Sequence, residues 1–130
     1  MTTGKPVVVK QLPETVSAQQ AQAFFRELEP VFETGRPRLV FDFTGVRHFD
    51  SAGVELLLRC MEEAMKRNGD LKLAALSPQL AVILEMTRVD RLFEIFENCN
   101  DAVESFHRFS PATMQSFAPS WKLVNPGPQS

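Results

Sequence analysis

Apolar residues along the chain fall into two alternating kinds of run. Four short stretches, VVVKQL (7–12), RLVFDF (38–43), LKLAAL (71–76) and LFEIFE (92–97), have the length of strands and are bounded by turn residues or helix starts. RLVFDF is apolar nearly throughout, and LKLAAL is a second run of that kind, as strands buried on both faces are. Between these runs the apolar positions recur at helical spacing. Ser17 opens the first such segment, with Ala21, Phe24, Phe25, Leu28 and Phe32 on one side, and Pro30 ends or bends its last turn. A second helix is predicted over 51–68, with Asn68-Gly69 as its C-terminal cap and turn. Ser77-Pro78 marks a third helix start, with serine as cap and proline at the first helical position, and this helix runs to about Thr87. A fourth is predicted over 100–109, with Val103, Phe106 and Phe109 inward.

The order is β-α-β-α-β-α-β-α. Strands alternating with helices imply right-handed crossovers and a mainly parallel sheet, hence an α/β fold of about four strands and four helices. Residues 1–109 form the expected domain. From 110 to 130 the pattern dissolves, and four of those 21 residues are proline. That composition suits a flexible tail, while Phe117 and Trp121 suit one that docks on the domain or a partner.

On the 51–68 helix, Val54, Leu57, Leu58, Met61 and Met65 share one face, which is the predicted core face. Glu55, Glu62 and Glu63 each precede a basic residue by four, namely Arg59, Lys66 and Arg67, the favourable order for exposed ion pairs. Opposite the predicted core face lies a narrow stripe of Ala52, Leu56 and Cys60. Three accounts of Leu56 remain open: an isolated exposed apolar residue, a residue covered by a neighbouring helix, or part of a docking surface.

Composition narrows the function classes. Fourteen basic against 16 acidic residues give a net charge of −2, so there is no basic field for nucleic acid or an anionic membrane. No apolar run is long enough to span a membrane, and MTTGKPVVVK lacks a signal-peptide core. Cys60 and Cys99 share no metal-like spacing and suit a reducing compartment, so a cytoplasmic protein without cofactor or metal is expected. No glycine-rich phosphate loop and no acid–base constellation supports an enzyme or a nucleotide binder.

The chemistry that stands out is FDSAGVELLL (49–58), which places a serine at the seam between strand and helix. Ser51 or Asp50 suits an N-cap, a role that stabilises a helix by roughly 1 kcal/mol. A nucleophilic role fits poorly, since there is no G-x-S-x-G elbow and neither His48 nor His107 is spaced to serve as a base. A phosphoacceptor is the third role. Free N–H groups at a helix start tolerate a phosphate, whereas a partner lying over the same surface meets about −1.5 to −2 added charges.

LVFDFTGVRHFDSAGVELLL (39–58) resembles the signature of the STAS domain found in bacterial anti-sigma factor antagonists. A hydrophobic strand ends in Asp42, and Asp50, Ser51, Ala52 and Gly53 match the Asp-Ser-Ser/Ala-Gly motif that opens a helix. NGDLKLAALSPQLAVILEMTRVDRLFEIFEN (68–98) is similar to the family's next strand, helix and strand, and the likeness covers about residues 7–108. The resemblance implies a non-catalytic binding module. Its unmodified form would bind an anti-sigma factor that is also its serine kinase, through a surface including Asp42, Asp50, Ser51, Ala52, Gly53 and Leu56. Phosphorylation of Ser51 would dissociate the pair, and a phosphatase would reset it. Asp50 would help position the hydroxyl, and Gly53 would permit close approach. A second use of such domains is as an unmodified subunit docked on an ATPase, for example in lipid transport. Two features differ from the family pattern. Only one initial strand is evident, with Pro13-Glu14 where a glycine turn is common. Thr87-Arg88-Val89 stands where a Ser/Thr-Gly-Leu-like step follows the third helix, so Arg88 in a left-handed cap would cost on the order of 1 kcal/mol.

Overall fold

The computed structural model describes residues 6–107. The predicted tail (110–130) and Phe109 lie outside those residues. The chain runs β1 (Val8–Gln11), β2 (Thr15–Val16), α1 (Ala18–Phe32), β3 (Arg38–Asp42), β4 (His48–Phe49), α2 (Ser51–Lys66), β5 (Asp70–Ala74), α3 (Pro78–Met86), a 3-10 turn at Val89–Leu92, β6 (Glu94–Phe96) and α4 (Cys99–His107). β1, β3, β5 and β6 pair in parallel in that order, with Leu39 opposite Leu71 and Leu73 opposite Ile95. The α/β architecture with a parallel four-stranded sheet and four helices is thus the one the alternation predicts.

Strand alternation splits the core into two layers. Leu39, Phe41, Leu71 and Leu73 face α1, α2 and α3, and pack with Phe24, Leu28, Leu56, Leu57, Leu80 and Leu84. Val40 and Ala74 face the other way, onto Ala102 of α4, with Val103 and Phe106 packed alongside as predicted. This is why RLVFDF reads as apolar nearly throughout: both of its faces are covered. LKLAAL carries one charge inside that pattern. Lys72 Nζ pairs with Glu94 at 3.0 Å, donates to Ser105 Oγ at 2.6 Å, and lies 4.1 Å from the centroid of the Phe106 ring. A buried ammonium is tolerated only when paired and hydrogen-bonded in this way.

Helix ends follow their local chemistry. Ser77 Oγ accepts from Leu80 N at 3.2 Å, with Pro78 starting α3. Ser17 precedes α1, but its hydroxyl donates to Gln20 Oε1 and makes no cap to the backbone. Pro30 sits inside the last turn of α1, which ends two residues later. After α2, Asn68 takes a left-handed φ of 60°, and Gly69 N returns to Ala64 O at 2.8 Å, the six-to-one bond of a Schellman cap. Arg88 also takes a left-handed φ, of 64°, and so carries the strain anticipated for it.

The two-residue strands β2 and β4 are too short to carry a pattern of their own. β2 pairs in parallel with β4, Thr15 opposite His48 and Val16 opposite Phe49. Glu14 O accepts from both Arg47 N and His48 N, at 2.8 and 3.0 Å. The chain after β1 is therefore stitched to the loop that enters α2. Phe49 then folds over the first turn of that helix. A Cβ on Gly53 would stand 2.6 Å from the Phe49 ring, so this position excludes any side chain unless the ring moves.

Two stability predictions follow from these contacts. Gly53→Ala adds overpacking worth about 1–3 kcal/mol, against a helix-propensity gain of about 1 kcal/mol, so a lower urea midpoint is expected. In a Phe49→Ala background the same change should cost nothing or stabilise, which a double-mutant cycle measures. Arg88→Gly relieves the left-handed strain and should raise stability by about 0.5–1 kcal/mol, read from the same denaturation curve.

Candidate functional site

The site is built where the loop after β3 turns into α2. Asp42 closes β3, and its Oδ1 accepts from Thr44 N at 2.9 Å and Thr44 Oγ1 at 2.5 Å. Burial opposes its ionisation, but the Thr44 hydroxyl and amide and the Cys99 thiol outweigh that and hold its pKa below the usual carboxylate value. Asp42 thus faces the α4 side of the sheet and fixes the Thr44-Gly45 turn. It makes no hydrogen bond with Asp50 or Ser51 among the described residues, so the two aspartates flanking the motif are not partners.

Asp50 is the N-cap of α2. Its φ of −111° and ψ of −165° are extended, and its Oδ1 accepts from Ala52 N at 2.9 Å. The two candidate caps are thereby separated: the aspartate satisfies the helix start, and the serine stands at the first helical position with its hydroxyl uncommitted. Ser51 is exposed and has no hydrogen-bond partner among the described residues. Ala52 beside it is half-buried, and Gly53 is buried under Phe49. The close approach that Gly53 permits here is internal to the domain.

Leu56 requires a correction. It is only 2% exposed and belongs to the main core, so it has no surface to offer a partner. The buried face of α2 is Gly53, Leu56, Leu57, Cys60 and Ala64, rotated from the predicted one by about a residue's turn of the helix. Three of those five residues are small, and α1 packs against α2, with Phe25 of α1 beneath Arg59. Of the predicted core face, Leu57 is buried and Val54 and Met61 are half-buried. Leu58 and Met65 emerge at 37% and 59% exposure. Apolar residues cover more than half the circumference of this helix, so periodicity could not select which part faces the sheet.

The ion pairs shift accordingly. Glu63 takes both Arg67, at 2.6 Å, and Lys66, at 3.3 Å. Arg59 lies over the Phe25 ring of α1, 4.1 Å from its centroid, instead of pairing with Glu55. Glu55 and Glu62 are exposed and have no ion pair among the described residues. Cys60 is fully buried, and that burial pushes its thiol pKa up to about 12, which leaves it protonated and inert.

Beside the motif is a cavity of about 370 Å³ between the starts of α1, α2 and α3, lined by Val16, Ser17, Arg47, Phe49, Asp50 and Ser77 among others. Its arginine is already paired with Glu14 at 3.4 Å. Ser51 is not part of its wall.

No helix among the described residues is long and apolar enough to cross a membrane. The fold is similar to three solved structures. A candidate anti-sigma factor antagonist of Thermotoga maritima superposes with a TM-score of 0.68 at 16% identity, over 76% of this chain and 86% of that one. A STAS-domain anti-sigma factor antagonist of Planctomyces limnophilus gives 0.67 at 20% identity, over 75% and 87%. The STAS domain of a SulP transporter from Vibrio cholerae gives 0.66 at 14% identity, over 82% and 85%. The STAS-domain family model matches residues 1–102, in agreement with the motif at Asp50–Gly53 and the sheet order, and the chain belongs to the STAS-domain family.

Proposed function

We propose that the protein is an anti-sigma factor antagonist, acting in the cytoplasm as a binding module switched at Ser51. The unmodified form sequesters an anti-sigma factor that is also a serine kinase, and the phosphorylated form releases it. In the kinase site the Ser51 hydroxyl attacks the γ-phosphorus of ATP held by the partner. The serine Oγ–P bond forms, ADP leaves, and the hydroxyl proton passes to a base of the kinase. A phosphatase reverses the state by adding water across the Oγ–P bond, restoring the hydroxyl and releasing inorganic phosphate.

One observation carries this reading: Asp50 serves as the cap, so the adjacent Ser51 hydroxyl is exposed and free at a helix start. The helix dipole at this N-terminus favours added negative charge on that hydroxyl. Ala52 and Asp50 flank it and fall within the same docking surface. Similarity to two proteins described as anti-sigma factor antagonists supports the same assignment.

A second reading is favoured by the similarity to a transporter's STAS domain. In it the same surface docks permanently on a transport complex and Ser51 is never modified.

Pulldown of the anti-sigma factor kinase with wild-type, Ser51→Ala and Ser51→Asp proteins separates the two. The switch predicts retention by the wild type and Ser51→Ala, loss with Ser51→Asp, and ATP-dependent phosphate mapped to Ser51 by mass spectrometry. Phosphate at another residue, or equal retention by all three forms, overturns it. Transporter components retained by every form would establish the permanent subunit.

A further inference from the structure

The corrected phase of α2 exposes a second pattern. Ser51, Glu55, Leu58, Glu62 and Met65 are all exposed, and they are spaced four, three, four and three residues apart. This is the 3.5-residue average period with which one helix keeps a single seam toward another. The seam starts at the free serine and extends roughly 21 Å along the helix at 1.5 Å per residue. It alternates acid and apolar rungs: Glu55 and Glu62 between Ser51, Leu58 and Met65. Among the described residues neither glutamate has a cation, because Arg59 is held over Phe25 and Lys66 is held by Glu63. Half-buried Val54 and Met61 border the seam on its inner side, so its apolar rungs are continuous with the core.

We infer that this seam receives an amphipathic helix of the protein partner, with apolar side chains against Leu58 and Met65 and lysine or arginine against Glu55 and Glu62. The inference deepens the switch reading and rests on it, since it names the chemistry of the partner at the helix that Ser51 heads. Charge selects the occupant. A second copy laid in register along α2, parallel or antiparallel, sets glutamate against glutamate, which disfavours that self-pairing. The same two carboxylates repel an anionic membrane surface. A basic amphipathic helix meets both requirements, because it covers Leu58 and Met65 and supplies the two missing cations. Met65, unbranched and polarisable, can adapt to the partner's side chains. A phosphate on Ser51 stands at the head of the seam, where the partner's first apolar rung would have to cover it.

The test uses the full chain and three synthetic helical peptides of about 21 residues, or three heptads. One carries leucine on its apolar seam and lysine flanking it; the second replaces lysine with glutamate; the third scrambles the first. Methyl NMR of Met and Leu residues is the readout. The lysine peptide is expected to shift the Met65 and Leu58 signals, while the other two leave them in place. Glu55→Lys combined with Glu62→Lys should weaken the lysine peptide by about tenfold or more and admit the glutamate peptide, a gain that misfolding cannot produce. Shifts that map away from α2, equal binding of the scrambled peptide, or unchanged affinity in the charge-reversed variant each overturn the seam. Ser51→Asp distinguishes the two readings. If the kinase pulldown depends on Ser51 while the lysine peptide ignores α2, the switch stands and the seam fails. If the peptide binds at the seam and the pulldown ignores Ser51→Asp, the seam stands as a permanent docking surface.

Discussion

The ring of Phe49 resting on the bare backbone of Gly53 governs the geometry of the motif. No side chain fits between them, and the contact sets how β4 enters α2. Phe49 is itself held by β4 pairing with β2, and that pairing is secured by Glu14 O accepting from Arg47 and His48. With the entry fixed, Asp50 reaches the amide of Ala52 and takes the capping role. Ser51 is then left one position further on, exposed and without a structural task. The reactive-looking residue is free because its neighbours have been assigned every local duty.

The same entry sets the rotation of α2 about its axis. Small residues, Gly53, Cys60 and Ala64, lie on the buried face of the helix and let its neighbours approach closely, with Leu56 and Leu57 joining the main core between them. Placing small side chains inward sends larger ones outward at the flank. That is how Leu58 and Met65 become surface residues while Leu56 becomes core. An apolar residue exposed for this reason is available for binding at no cost to the fold, which links the packing of the helix to the proposed docking seam.

The opposite face of the sheet is built to stay closed. Lys72 draws Glu94, Ser105 and the Phe106 ring together beneath α4, and its burial is compensated on every side. Asp42 and Cys99 meet near the other end of α4, again within the domain. Polar groups on that face serve the fold, whereas at the start of α2 the Ser51 hydroxyl has no hydrogen-bond partner among the described residues.

Much of the molecule was legible in the chain itself. The alternation of strand-like and helical runs determined the α/β order, the turn chemistry of Ser77-Pro78 and Asn68-Gly69 placed helix boundaries, and Asp50–Gly53 marked the candidate site. The seam was not legible there: Leu58 and Met65 read as core-face residues, and only the observed rotation of α2 brings them to the surface beside Glu55 and Glu62. The tertiary structure alone decided which of two candidate caps serves α2, that the two short strands pair, and whether Leu56 or Leu58 faces water. Local pattern leaves each of these choices open. A helix whose apolar arc exceeds half its circumference fits a sheet in more than one rotation, and a two-residue strand has too little pattern to register. Those choices are made by what lies across the contact: a phenyl ring, a second helix and a carbonyl from a distant turn.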